Sequence, residues 1–170
     1  NAEALEMLHK IDTVVLDKTG TVTTGQMQVA QVIPAGEVSE KELVQDAVSL
    51  EKLSAHPLAV SLVKQYKSVP LQEVRNLSEF PGLGLRGKVG EEIISGGNLK
   101  AMRAWKIDVP DGEAVVKSAA AQGQTVLFFA RGTKYLGAIG FSDMIKPSSR
   151  QAVSLLKNSG REVILLTGDN

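Results

Sequence analysis

A short β-branched apolar run that stops in a polar, glycine-containing turn stands near each end of the sequence. Thr13-Val14-Val15-Leu16 runs into Asp17-Lys18-Thr19-Gly20-Thr21, and Val163-Ile164-Leu165-Leu166 runs into Thr167-Gly168-Asp169-Asn170. Such runs read as buried strands of a parallel sheet, with the turns at their carboxyl ends, where open α/β sheets bind ligands. The sequence between them has a different texture. From Gln72 it falls into short strands over 73–77, 83–89 and 92–95, with Gly87 and Gly90 punctuating the turns of an antiparallel meander. Strands over 125–130 and 135–141 form a hairpin through Arg131-Gly132-Thr133-Lys134. Helices are expected over 99–105 and 112–121, and before the meander from Ser39, whose Glu42 completes a capping box, to about Leu53. Another starts at Pro57, with Leu58, Leu62, Val63 and Tyr66 on one face, and is ended by Pro70. A strand over Met27–Ile33 stops at Pro34-Ala35-Gly36. Asn1–Lys10 reads as the end of a helix, and Pro147–Asn158 as a helix capped by Gly160.

The fold class that follows is α/β with an insertion: an antiparallel α+β domain of about 115 residues bracketed by two parallel-type strands with helices. The boundaries expected are 1–24 and 141–170 for the outer domain, truncated in its second part, and 25–140 for the inserted one. The crossings near Thr23–Gly25 and Phe141–Asp143 read as short connections able to act as hinges.

Composition removes several function classes. In 170 residues, 19 basic side chains balance 19 acidic ones, so no field attracts nucleic acid or an anionic membrane. Cysteine is absent and histidine occurs twice, which excludes disulfides, thiolate ligands and a convincing zinc cluster. No apolar run approaches the length of a bilayer span and no signal-peptide pattern is present, so the chain reads as a soluble piece. Hydrophobic residues make up 43% of it, enough for a core.

Chemistry concentrates in a few places. A carboxylate at the strand end, Asp17, can attack a phosphoryl group if hydroxyls and amides spread the charge of the transferring oxygens. Thr19 and Thr21 are placed to do so, and Gly20 lets backbone approach. The alternative is an ordinary solvated turn, since Gly and Thr are common turn residues. Gly82-Leu83-Gly84-Leu85-Arg86-Gly87 fits G-x-G-x-x-G but enters a strand, so no helix N-terminus faces a pyrophosphate. His56 precedes a helix-starting proline, which holds its ring in a defined place.

Together these motifs resemble the heavy-metal-transporting P-type ATPases, cation pumps of the haloacid dehalogenase-like superfamily. The resemblance covers nearly the whole chain. It implies that Asp17 is the phosphorylated nucleophile, and that Asp17 and the backbone carbonyl of Thr19 hold Mg²⁺. It also implies that Thr167, Gly168 and Asp169 form a second phosphate loop and that Asp143, in Asp143-Met144-Ile145-Lys146-Pro147, is a hinge residue. In the inserted domain it implies an ATP site made by Glu51, His56, Gly82, Gly84, Leu85, Gly97 and Asn98. There His56 orients adenine and Glu51 accepts from its exocyclic amine. Two departures are visible. Ala55 stands where many members carry Glu, and Thr19 stands where related phosphatases carry a second Asp as general acid and base.

The function implied is the cytoplasmic ATP-binding and phosphorylation region of a membrane pump, with ATP and Mg²⁺ as cofactors. Its partners would be the pump's actuator domain and transmembrane helices and a metallochaperone for the parent. Copper is favoured over zinc or cadmium by the leading Asn1–Glu6 and the Ile145-Lys146-Pro147 form of the hinge. A free-standing aspartate-nucleophile phosphatase and a nucleotide-binding module without chemistry remain open. The family's Gly-Asp-Gly-x-Asn-Asp loop and phosphate-neutralising lysine would lie beyond Asn170, so the chain alone is expected to be nearly inactive.

Overall fold

The computed structural model describes residues 11–166. The helix expected over Asn1–Lys10 and the turn Thr167–Asn170 lie outside them. Two compact units form, one from residues 11–26 with 143–166 and one from Met27–Ser142.

In the first unit, β1 (Thr13–Asp17) pairs in parallel with β8 (Glu162–Leu166), from Thr13 opposite Glu162 to Asp17 opposite Leu166. The intervening helix α5 (Pro147–Asn158) has proline in its first turn and packs against β8. Gly160, at φ +80°, turns the chain back into that strand. The strands are parallel as expected but not buried: Val15 is 52% exposed and Leu166 57%. The pairing is as read and the burial is not, because two strands with a helix packed on β8 cannot cover both faces of a sheet.

The second unit holds a six-stranded sheet in the order β2-β7-β6-β5-β4-β3. Its strands are β2 (Thr23–Pro34), β3 (Arg75–Phe80), β4 (Gly84–Val89), β5 (Glu92–Gly97), β6 (Gln124–Arg131) and β7 (Lys134–Ile145). β3, β4 and β5 are the expected meander, and β6 and β7 the expected hairpin, with Arg131 opposite Lys134. Alternation along β6 sorts the helices. Leu127 and Phe129 pack in the cluster built with α1 (Glu40–Glu51) and α2 (Pro57–Gln65), whereas Val126, Phe128 and Ala130 pack with α3 (Leu99–Ala104) and α4 (Gly112–Ala121). The sheet is thus covered on both faces.

Several expectations shift. The chain passes from one unit to the other between Gln26 and Met27, inside β2, and between Ser142 and Asp143, inside β7, where short connections were expected. Gly87 lies within β4, where an added Cβ would collide with Val74 Cγ1; only Gly90, at φ +58°, makes a turn. The first meander strand runs 75–80, with a bulge where Asn76 takes φ +51°. α2 stops at Gln65, five residues before Pro70. Ser39 Oγ accepts the Glu42 amide at 3.2 Å, while the Glu42 carboxylate pairs with Lys134 at 3.5 Å.

Candidate functional site

The second unit contains a cleft of about 300 Å³. Glu51, the last residue of α1, forms part of its wall, and a turn closed by the Ser54 amide on the Glu51 carbonyl at 2.9 Å leads to His56. His56 is the N-cap of α2: its Nδ1 accepts the Leu58 amide at 3.3 Å, and its own amide donates to Ser54 Oγ at 3.1 Å. In the neutral ring this places the proton on Nε2 and leaves that nitrogen as a donor.

The opposite wall is a glycine turn clamped by an asparagine. Gly82 takes φ +73°, and Asn98 Nδ2 donates to the Gly82 carbonyl at 2.8 Å while Asn98 Oδ1 caps α3 by accepting the Ala101 amide at 2.9 Å. Gly84 and Gly97 face each other in the β4–β5 pair. A Cβ on Gly84 would collide with the Gly96 carbonyl oxygen, and one on Gly97 would lie 2.5 Å from that of Leu83. The chain's own backbone therefore demands glycine at both positions. Leu85 is buried with Leu50 and Ile94 in a small apolar cluster behind the cleft.

All seven residues assigned from the sequence to a nucleotide site line this cleft. The sequence reading missed Glu79, Phe80, Thr125, Val126 and Leu127, which line it too. Glu79 and Phe80 were within reach of inference because they directly precede the Pro81-Gly82 turn, whereas nothing local marks 125–127. Glu51 is 4% exposed, and its carboxyl is pushed up to about 7, first by burial and then by the charge of Glu79.

In the first unit Asp17 is exposed at the carboxyl end of β1, and one of its oxygens accepts the Thr19 amide at 3.3 Å. The chain then makes one wide turn over Lys18–Val22, left-handed at Gly20 (φ +79°), with Thr19 and Thr21 exposed. Two residues that the sequence reading gave no contact role hold this turn. Lys146 Nζ donates to the Gly20 carbonyl at 2.5 Å and its amide to the Val22 carbonyl at 3.0 Å. The hydroxyl of buried Thr23 accepts the Gly20 amide at 3.2 Å and lies 2.5 Å from Asp143 Oδ2. Asp143, assigned as a hinge, therefore grips the start of β2; its other oxygen is buried without a partner. Thr167, Gly168 and Asp169 lie outside the described residues. The Asp17 carboxylate and Thr19 carbonyl are hard oxygen donors of the kind Mg²⁺ takes, and among the described residues no cluster of three or more His, Cys, Asp or Glu forms.

The family model of the haloacid dehalogenase-like hydrolases matches residues 11–170. The chain is 37% identical over 171 residues, 99% of its length, to a copper-exporting P-type ATPase of Bacillus subtilis, of which it spans 21%. Among solved structures it resembles a zinc-transporting PIB-type ATPase in the E2.Pi state, with a TM-score of 0.81 and 28% identity over 94% of this chain and 26% of that one. It also resembles the catalytic domain of the CPx-ATPase CopB-B, solved in a study of nucleotide binding, with a TM-score of 0.70 and 27% identity over 100% of this chain and 59% of that one. The chain thus spans about a fifth of the length of the curated relatives it matches.

Proposed function

The chain belongs to the haloacid dehalogenase-like hydrolase family, and on that premise we propose that it is the cytosolic ATP-binding and phosphorylation region of a heavy-metal P-type ATPase, with copper as the cargo. The observation that carries this reading is the cleft. Glu51, His56, Gly82 to Leu85, and Gly97 with Asn98 come from four separate stretches and line one cavity. Ordinary turns and caps would not need to converge.

In this reading the cleft takes adenine, with His56 Nε2 and Glu51 as polar anchors and Leu58, Phe80, Leu83 and Val126 as apolar lining. Asp17 takes the γ-phosphoryl group: a carboxylate oxygen forms a bond to phosphorus as the bond to the departing ADP oxygen breaks, leaving an acyl phosphate. Mg²⁺, held by the Asp17 carboxylate and the Thr19 carbonyl, would neutralise charge on the phosphoryl oxygens. Lys146 and Thr23 keep the loop in one shape. With Thr19 in place of a second aspartate, no general base stands two residues after the nucleophile, which favours an acyl phosphate that persists over a phosphatase that discharges at once. With this region on the cytoplasmic side, the pump's membrane helices and actuator domain would convert that intermediate into transport across the membrane. No helix among the described residues is long and apolar enough to cross a membrane.

The test has two arms. In the full-length pump, ATP should give an acid-stable, hydroxylamine-labile phosphoenzyme that Asp17→Asn abolishes, and persistent labelling of the variant would remove Asp17 from the chemistry. In the 170-residue chain, calorimetry should show ATP binding that survives Asp17→Asn, because the cleft lies in the other unit. Absence of binding would sink the nucleotide assignment.

A further inference from the structure

Glu51 combines features that an ionised hydrogen-bond acceptor would not need. Its side chain is among the most buried charged groups of the chain, at 4% residue exposure, and receives no hydrogen bond from any described residue. It sits at the carboxyl end of α1, where the helix dipole disfavours negative charge. The cleft also contains the carboxylate of Glu79 from β3. The remaining titratable group lining the cleft is His56; Arg86 of β4 stacks over Trp105 and bonds Ser95, Glu92 of β5 and Arg131 of β6 pair with each other, and Lys52, Lys64 and Lys88 line no part of it. Among the described residues no lysine or arginine lines the cleft beside Glu51.

The charge state decides which base fits. A carboxylic acid offers one O–H donor and one carbonyl acceptor; a carboxylate only accepts. Adenine presents a ring-nitrogen acceptor beside its amino donor, complementary to the acid. Guanine presents adjacent N1–H and amino donors, complementary to the carboxylate. We propose that Glu51 selects adenine as a neutral carboxylic acid, donating to a ring nitrogen while accepting from the amino group, and that its burial, reinforced by Glu79 as a positioning residue, keeps the proton on it. The proposal rests on the adenine reading of the cleft. Glu51 retains a proton near neutrality, so affinity for ATP and preference over GTP should both fall as the pH rises past that range.

The experiment is calorimetry of ATP and GTP with the chain and with Glu51→Gln and Glu79→Gln between pH 6 and 9. The amide introduced by Glu51→Gln carries a fixed donor and acceptor, so that variant should hold its ATP affinity and selectivity at high pH while the wild type loses about tenfold in affinity per pH unit above the break. The ratio of variant to wild-type affinity cancels titration of the nucleotide phosphates. Glu79→Gln should move the break to lower pH, which a purely structural role would not do. A ratio that stays flat, or Glu51→Gln binding more weakly at every pH, overturns the proposal while leaving the adenine cleft standing. No ATP binding by the wild type removes both. The ¹³C resonance of the Glu51 carboxyl in the wild-type ATP complex at pH 7.5 gives a check free of any variant: a protonated shift supports the proposal and an ionised one overturns it.

Discussion

His56 does two jobs that a single truncation would merge. Its Nδ1 caps α2 on the Leu58 amide at 3.3 Å, and its Nε2 is left for the cleft. His56→Ala should therefore cost about 1 kcal/mol of folding stability through the lost cap and roughly 1 to 2 kcal/mol of ATP affinity through the lost contact. Asn retains an N-cap acceptor, so His56→Asn should recover the stability and not the affinity; denaturant melts paired with calorimetry separate the two, and full recovery of binding would make His56 a cap alone. Glu51 gives a pH dependence whose sign follows from its environment. Folded, it holds its proton up to about 7 against an ordinary 4.5, so the native state binds that proton more tightly. Stability from this group is complete below about 4.5 and falls by on the order of 3 kcal/mol as the pH rises to about 7. Glu51→Gln should raise the urea midpoint at pH 8 and leave it nearly unchanged at pH 4.5. A variant less stable than wild type at pH 8 would show that burial of the charge is not the cost inferred.

α1, which carries Glu51, is fastened to the sheet by a buried ion pair. Asp46, 1% exposed, receives Arg131 of β6 in bidentate fashion at 2.9 and 2.6 Å, and Gln72 donates to the same carboxylate at 2.6 Å. Gln72 is held in turn by its amide on Ser49 Oγ at 2.9 Å. Removing one partner of such a network leaves the other charge in a poor solvent, whereas the exposed pairs Arg75–Glu73 and Arg103–Glu113 contribute little. Asp46→Ala should lower stability by about 3 kcal/mol, whereas Glu73→Ala should leave the denaturation midpoint essentially where it is. Equal losses in chemical denaturation would mean that burial does not rank these pairs. Because α1 ends at the cleft, ATP should partly restore the melting temperature of Asp46→Ala, a linkage effect that grows with nucleotide concentration.

At the scale of the whole molecule, the two halves of the proposed chemistry differ in completeness. The cleft is walled on both sides by elements of one unit, but around Asp17 the described residues supply one nucleophile, a loop held by Lys146 and Thr23, and no cluster of metal ligands. Phosphoryl transfer depends on several preorganised charges, each commonly worth about a hundredfold or more. The isolated chain should accordingly bind ATP yet accumulate little Asp17-dependent phosphoenzyme from radiolabelled ATP and Mg²⁺; stoichiometric labelling would show the loop sufficient by itself. Much of this molecule was legible in its sequence because the signals were local. The helices expected over 112–121 and 147–158 stand as α4 and α5, bounded by proline and glycine; Gly132 marked the β6–β7 hairpin, and Pro81-Gly82 marked the turn into β4. The cleft residues were legible by resemblance, yet the reason glycine stands at 84 and 97 was not. It is backbone crossing backbone between paired strands, which no one-dimensional pattern encodes. Tertiary structure alone set Glu79 beside Glu51, joined Thr23 to Asp143 across 120 positions, carried β2 and β7 through the expected hinges, and left β1 half-exposed. Chain-local chemistry chooses the elements; burial, charge state and contact between distant residues exist only once those elements are packed.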